Sequence, residues 1–128
     1  MPKQYKSSYT GRHYDGPTNY KCGTRNVVYL ITCRKCQKQY VGQTYRPYRE
    51  RISEHLRYIR KKKMDTAMGK HFNLPDHTHF DLNHRVIAIL GGTCTKNNPK
   101  LLELEEQLIE RIRTMEPIGL NDKNSQRV

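Results

Sequence analysis

The stretch from Val27 to His55 constrains this chain more than any other. Val27–Thr32 is rich in β-branched and aromatic residues, and its unbroken apolar character predicts a buried strand. Lys38–Val41, containing the strand-like run Gln39–Val41, predicts an antiparallel partner. Between them, Cys33-x-x-Cys36 predicts a tight turn that presents two thiols on one side, the geometry of a zinc knuckle. Gly42 is expected to end the second strand, where a missing Cβ admits another backbone or a phosphate. Thr44 is placed to cap the next helix, with Pro47 in its first turn.

In that helix Tyr48, Ile52, Leu56 and Ile59 recur at helical spacing and predict the buried stripe. Arg51 and His55 stack four apart on one margin of the stripe, with Arg49 on the other. The helix runs out in Arg60-Lys61-Lys62-Lys63, cations that suit a helix C-terminus. Residues 65–72 predict a second, short helix, and Asn73-Leu74-Pro75-Asp76 a turn. Val86–Leu90 reads as another buried strand, broken by Gly91-Gly92. Asn97 or Asn98, followed by Pro99, starts a last long helix that is expected to run to about Met115, before Pro117. The pattern predicts an α+β fold: a small antiparallel three-stranded sheet flanked by helices, with the cysteine knuckle as an insertion.

A chain of 128 residues suffices for one compact domain, but only 34% of them are hydrophobic, so the core is modest. The domain is expected over residues 26–122. Residues 1–25 carry Tyr5, Tyr9, Tyr14 and Tyr20 among Lys, Arg, Gly and Ser. With almost no aliphatic residue they predict a flexible arm, or an arm whose tyrosines stack on bases and whose cations meet phosphates. Residues 123–128 read as a polar tail.

A net charge of +12 makes a polyanion, most often nucleic acid, the default partner. No run approaches the length of a membrane helix and no apolar signal region opens the sequence, so no membrane partner and an intracellular compartment are expected. Thiols stay reduced there, and four cysteines then suggest metal ligation or packing rather than disulfides.

Two groups of residues can carry chemistry. The apolar arc of the last helix is drawn by Leu101, Leu102, Leu108, Ile109 and Ile112, and Glu105 falls inside it. A carboxylate on a buried face is costly unless it is paired with an arginine or holds a metal. Cys33 and Cys36 offer two zinc ligands, and His71-x5-His77 two more, with His79 or Cys22 as substitutes. The alternative is buried thiols and surface histidines. Cys94 is expected to be packed. Tyr29 and Tyr40 lie on adjacent strands, where the usual fate of a tyrosine is packing with its hydroxyl at the surface.

Together these residues resemble the GIY-YIG nuclease family over about residues 26–121. The first motif is Val27-Val28-Tyr29 and the second Tyr40-Val41-Gly42, with Arg51, His55, Glu105 and Asn121 at the other motif positions. The sequence is most similar to the endonuclease domain of Penelope-like retroelements. The C-x-x-C insertion, the Y-V-G-Q-T…R-x-R-x-x-E-H run from Tyr40 to His55 and the H-F-N-L-P-x-H segment from His71 to His77 carry that likeness. Val27 and Val28 stand where the family name has Gly and Ile, and Gln43 where the DNA-repair members have lysine.

The resemblance implies hydrolysis of DNA phosphodiester bonds with one Mg²⁺ or Mn²⁺ ion. Glu105 would hold that ion, and Arg51 would neutralise charge in the transition state. Tyr29 would accept a proton from the attacking water, which requires a lowered phenol pKa. Tyr40 and His55 would position phosphate and water or assist proton transfer, and Asn121 would fix the local backbone. Gln43, Arg46, Arg49, Arg60, Lys61, Lys62 and Lys63 would contact the nucleic acid without sequence preference. The zinc site would be structural. A retroelement setting implies a nuclear location, nicking that primes reverse transcription, and a reverse transcriptase domain in the same polypeptide. A zinc-containing nucleic-acid-binding module without cleavage, or an assembly domain using zinc and the helices for protein contacts, are the alternatives.

Overall fold

A computed structural model describes residues 3–122; the expected polar tail at 123–128 lies outside them. The fold is α+β. Strands β1 (Gln4–Lys6) and β2 (His13–Asp15) form a two-stranded hairpin, and β3 (Val27–Cys33), β4 (Gln39–Thr44) and β5 (Leu82–Ile89) a three-stranded antiparallel sheet. Helices α1 (Tyr48–Arg60), α2 (Ala67–His71) and α3 (Pro99–Ile112) complete the chain, with a 3-10 turn at His79–Asp81.

The sheet order is β4-β3-β5, so β3 is central and β4 lies at an edge. The apolar run of β3 explains its place, because a strand flanked on both sides and covered on both faces has no solvated positions. Its side chains alternate between two cores. Val27, Tyr29, Ile31 and Cys33 face Tyr48, Ile52 and Ile59 of α1 with Met68 and Phe72. Val28 and Leu30 face Leu101, Leu108, Ile109 and Ile112 of α3.

The elements extend differently from the sequence reading. β4 continues past Gly42 to Thr44, because Gly42 pairs with Tyr29 in register and Thr44 with Val27. Thr44 is therefore a strand residue whose hydroxyl accepts from the Arg46 amide, while Pro47 is the N-cap of α1 without any side-chain cap bond. β5 begins at Leu82, since Leu82–Arg85 pair with β3 although their exposed Asn83 and His84 hide the apolar pattern. The last helix starts as expected, with the Asn98 side chain accepting from Lys100 N, but stops at Ile112 because Arg113 turns left-handed at φ 66°. Cys94, expected to be packed, is exposed.

The largest difference lies at the N-terminus. Instead of a flexible arm, residues 4–15 form the β1–β2 hairpin, docked on the α3 side of the sheet. Tyr5 is buried and stacks on Tyr14 with ring centroids 5.6 Å apart. Arg85 lies over Tyr5 at 5.6 Å and Arg111 over Tyr14 at 5.7 Å. Ser7 Oγ donates to Ile112 O at 2.6 Å, and Gln39 spans the gap, accepting from Ser8 N and donating to Lys6 O, both at 2.8 Å. Aromatic faces and cations supply here the surface that aliphatic residues supply elsewhere. Further on, the carbonyls of Cys22 and Thr24 accept from Arg49 N and Tyr48 N, tying this segment to the start of α1.

Candidate active site and metal cluster

Register places the two tyrosines. Tyr29 and Ile31 share a face of β3, and Ile31 pairs with Tyr40, so Tyr40 stands on that same face one diagonal step from Tyr29. Directly opposite Tyr29 is Gly42. A Cβ on Gly42 would run into the Tyr29 hydroxyl, so the glycine makes room for the phenol to lie across the edge strand. Gly42→Ala is therefore expected to cost about 1–3 kcal/mol, as overpacking usually does. Urea denaturation with an unchanged midpoint would show that the phenol does not need this gap.

Helix α1 brings its margin over the same spot. Tyr29 Oη and His55 Nε2 are 2.6 Å apart, and Arg51 Nε donates to Tyr29 Oη at 3.3 Å. The Tyr40 and His55 rings meet edge-on at 5.9 Å. Burial pushes the Tyr29 pKa up to about 12, only partly offset by Arg51, and Glu105 raises it further. Burial also raises Tyr40, with Tyr29 and Glu105 adding to the effect. The lowered phenol pKa expected for Tyr29 is thus not produced by the protein's own groups, because desolvation outweighs the guanidinium. Burial and the Arg51 charge hold His55 well below the ordinary histidine range. A neutral phenol and a neutral imidazole share one proton in this contact, and with the imidazole protonated at Nδ1 it is Tyr29 that donates to His55 Nε2.

Glu105 is 4% exposed, and its charge acts on both tyrosines. α3 lies against β4 and β3, the two strands that carry Tyr40 and Tyr29. A hard, buried carboxylate within electrostatic reach of two phenols fits a divalent cation, which favours oxygen ligands. Asn121, wholly buried, accepts from Val41 N at 2.8 Å and Thr114 Oγ1 at 2.7 Å and donates to Val41 O at 2.9 Å. It fastens the segment after α3 to the strand that carries Tyr40.

The GIY-YIG catalytic domain matches residues 25–118. The chain belongs to the GIY-YIG family. No curated protein and no solved structure matches it. GIY-YIG domains are nucleases acting on DNA, and they depend on divalent metal. A cavity of about 480 Å³ lies apart from this group, between the hairpin and the sheet beside Tyr5, Gln39 and Arg85.

One position expected to meet nucleic acid, Arg46, has another partner in this GIY-YIG domain. Arg46 donates to both carboxylate oxygens of Glu54, at 2.9 and 3.1 Å, and Arg51 donates to Glu54 as well. Glu54 went unassigned in the sequence reading; its i,i+3 spacing from Arg51 was the available signal. Arg49, Arg60, Lys61, Lys62 and Lys63 are exposed and Gln43 is half-buried. A second tyrosine–histidine pair, Tyr48 Oη to His84 Nδ1 at 2.6 Å, was also missed, because His84 lies outside the expected strand.

The cysteine knuckle closes a separate cluster. The ligand atoms of Cys33, Cys36, His71 and His77 all lie within 4.8 Å of one another and could hold a metal ion. Cys36 Sγ and His71 Nε2 are 3.4 Å apart. His77 Nδ1 lies 3.0 Å from Pro75 O, while its buried Nε2 has no hydrogen-bond partner. A buried ring nitrogen in such a cluster, with the other nitrogen on a backbone carbonyl, matches the usual setting of a metal-ligating histidine. Burial and the neighbouring His77 lower the His71 pKa to about 4, so its imidazole is neutral, as ligation needs. His79 and Cys22 are outside this cluster; both are exposed.

Proposed function

We propose that this GIY-YIG domain is a metal-dependent endonuclease that nicks DNA. The observation that carries the reading is the grouping of Tyr29, His55, Arg51 and Tyr40 on one face of the sheet, within electrostatic reach of the buried Glu105. Glu105 would hold Mg²⁺ or Mn²⁺, which when bound supplies Lewis-acid stabilisation of phosphate charge. Arg51 offers fixed positive charge to the phosphate in its transition state. Tyr29 Oη accepts the proton of the attacking water while its own proton passes to His55 Nε2, so that the phenol never has to stand ionised in a buried site. Tyr40 shapes the wall against which His55 is held. The exposed cations Arg49, Arg60, Lys61, Lys62 and Lys63 bind backbone phosphates.

Cys33, Cys36, His71 and His77 hold structural Zn²⁺. Two thiolates and two imidazoles suit zinc, and four protein ligands leave no open position for catalysis. The likeness to Penelope-like endonucleases supports a retroelement role, in which the nick supplies a 3′ end to a reverse transcriptase domain of the same polypeptide in the nucleus.

The pH dependence of nicking tests the proton path. His55 has a depressed pKa in the folded protein, so it is neutral above the ordinary histidine pKa of about 6.5 and protonates only well below it. Its stabilising contribution is likewise complete above about pH 6.5 and is lost as pH falls through the folded-state value. Single-turnover nicking of supercoiled plasmid in Mg²⁺ or Mn²⁺ is expected to show no His55-linked loss between neutrality and about pH 6.5. An acid limb centred at or above that value would contradict the assignment. Salt-sensitive DNA binding with no scission at any pH would favour the binding-module reading instead.

A further inference from the structure

Between the loop before α1 and its second turn, one carboxylate joins two arginines. Glu54 is 17% exposed at its side chain, Arg51 18% and Arg46 34%. Arg46 reaches across from the loop with a two-pronged contact, and Arg51 approaches from the preceding turn of the same helix. A partly buried carboxylate is otherwise expensive, and burial alone would raise its pKa; the two guanidiniums outweigh that and hold it below the usual carboxylate range. The same arginine that ends on Glu54 through one terminal nitrogen ends on Tyr29 through Nε. A guanidinium is planar, so bonds on two of its sides fix its plane. Arg51 alone, on a long flexible stem, has no reason to keep Nε on a phenol.

We infer that Glu54 is a positioning residue: clamped by Arg46, it fixes the plane of the Arg51 guanidinium so that Nε faces the Tyr29 hydroxyl at the reacting centre. The consequence for cleavage rests on the nuclease reading of the site; the positioning does not. Arg46 on this view serves the site through Glu54, although its sequence position suggests a plain phosphate contact. Loss of the Glu54 charge also frees two cations. It is therefore expected to impair turnover without weakening DNA binding, which a general loss of structure would not do.

The test is Glu54→Gln, which keeps size and one acceptor while removing the charge, with Glu54→Asp as the conservative variant. The Arg51 Nε–H resonance is read by ¹⁵N NMR and assigned from its disappearance in Arg51→Lys. It is expected to shift and lose its protection from exchange in Glu54→Gln and to recover in part in Glu54→Asp. Single-turnover nicking is expected to fall at least about tenfold while DNA affinity holds or rises. An Arg51 resonance unmoved by Glu54→Gln overturns the proposal whether or not the protein cuts. An undiminished nicking rate in Glu54→Gln also overturns it. If the resonance responds as expected but wild-type protein leaves plasmid intact, the positioning stands and the nuclease reading falls.

Discussion

If Cys33, Cys36, His71 and His77 hold Zn²⁺ as proposed, a chelator is expected to unfold this domain, not merely to silence it. The four donors gather three pieces of chain: the turn between β3 and β4, the end of α2, and the loop that leads to the 3-10 turn. Cys33 is also part of the core that Tyr29 and Ile31 share with α1, so the cluster is continuous with the floor of the active site. Structural zinc in finger peptides contributes on the order of 10 kcal/mol or more, against a native stability of about 5–15 kcal/mol for a typical domain. With so little aliphatic residue in the chain, the remainder is small. Circular dichroism during chelation should therefore show loss of helix and a collapsed melting transition, reversed by added Zn²⁺. Cys36→Ser is expected to act in the same direction, lowering stability more than it alters the chemistry of any folded fraction. Purified protein with less than about half an equivalent of zinc in non-chelating buffer would refute the four-ligand site.

The parts of the fold that could be read from the chain are those governed by period. Alternation along β3 puts Tyr29 with Ile31 and hence with Tyr40. The helical arc of α3 marks Glu105 as buried, and the structure places it there at 4% exposure. Cys33-x-x-Cys36 and His71-x5-His77 gave a candidate ligand set, and backbone turns bring its donor atoms together. What escaped the sequence depends on pairing across loops. Arg46 and Glu54 meet only because the residues before α1 fold back along it, which no spacing rule specifies. The N-terminal hairpin escaped because its buried surface is tyrosine ring covered by Arg85 and Arg111, residues that a hydropathy pattern counts as solvent-facing. β5 starts early because backbone pairing to β3, not side-chain burial, holds Asn83 and His84 in the sheet. The Tyr29 pKa escaped for another reason: its direction is set by the depth of burial, which position on a strand does not give.

Glu105 carries the largest expected effect on chemistry. Its neighbours explain why a carboxylate, and no other side chain, has this place. Tyr29 and Tyr40 are kept protonated by burial and by Glu105's own charge, so neither phenol can supply a negative ligand at neutral pH. Arg51 is positive. The other carboxylate of the group, Glu54, is taken up by Arg46 and Arg51, so removing Glu105 would leave a divalent ion without a charged protein ligand there. Glu105→Ala should lower strand scission by on the order of 10²–10³-fold or more, the range found when one preorganised electrostatic group is lost. DNA binding, assigned in the proposed reading to the exposed cations of α1 and the residues after it, should change little.

Relaxation of supercoiled plasmid by wild type and Glu105→Ala, side by side in Mn²⁺ with folding of both checked by circular dichroism, is the most direct measurement. The expected result is nicked circles from the wild type and intact supercoils from the variant. Equal nicking by the two proteins would contradict the site.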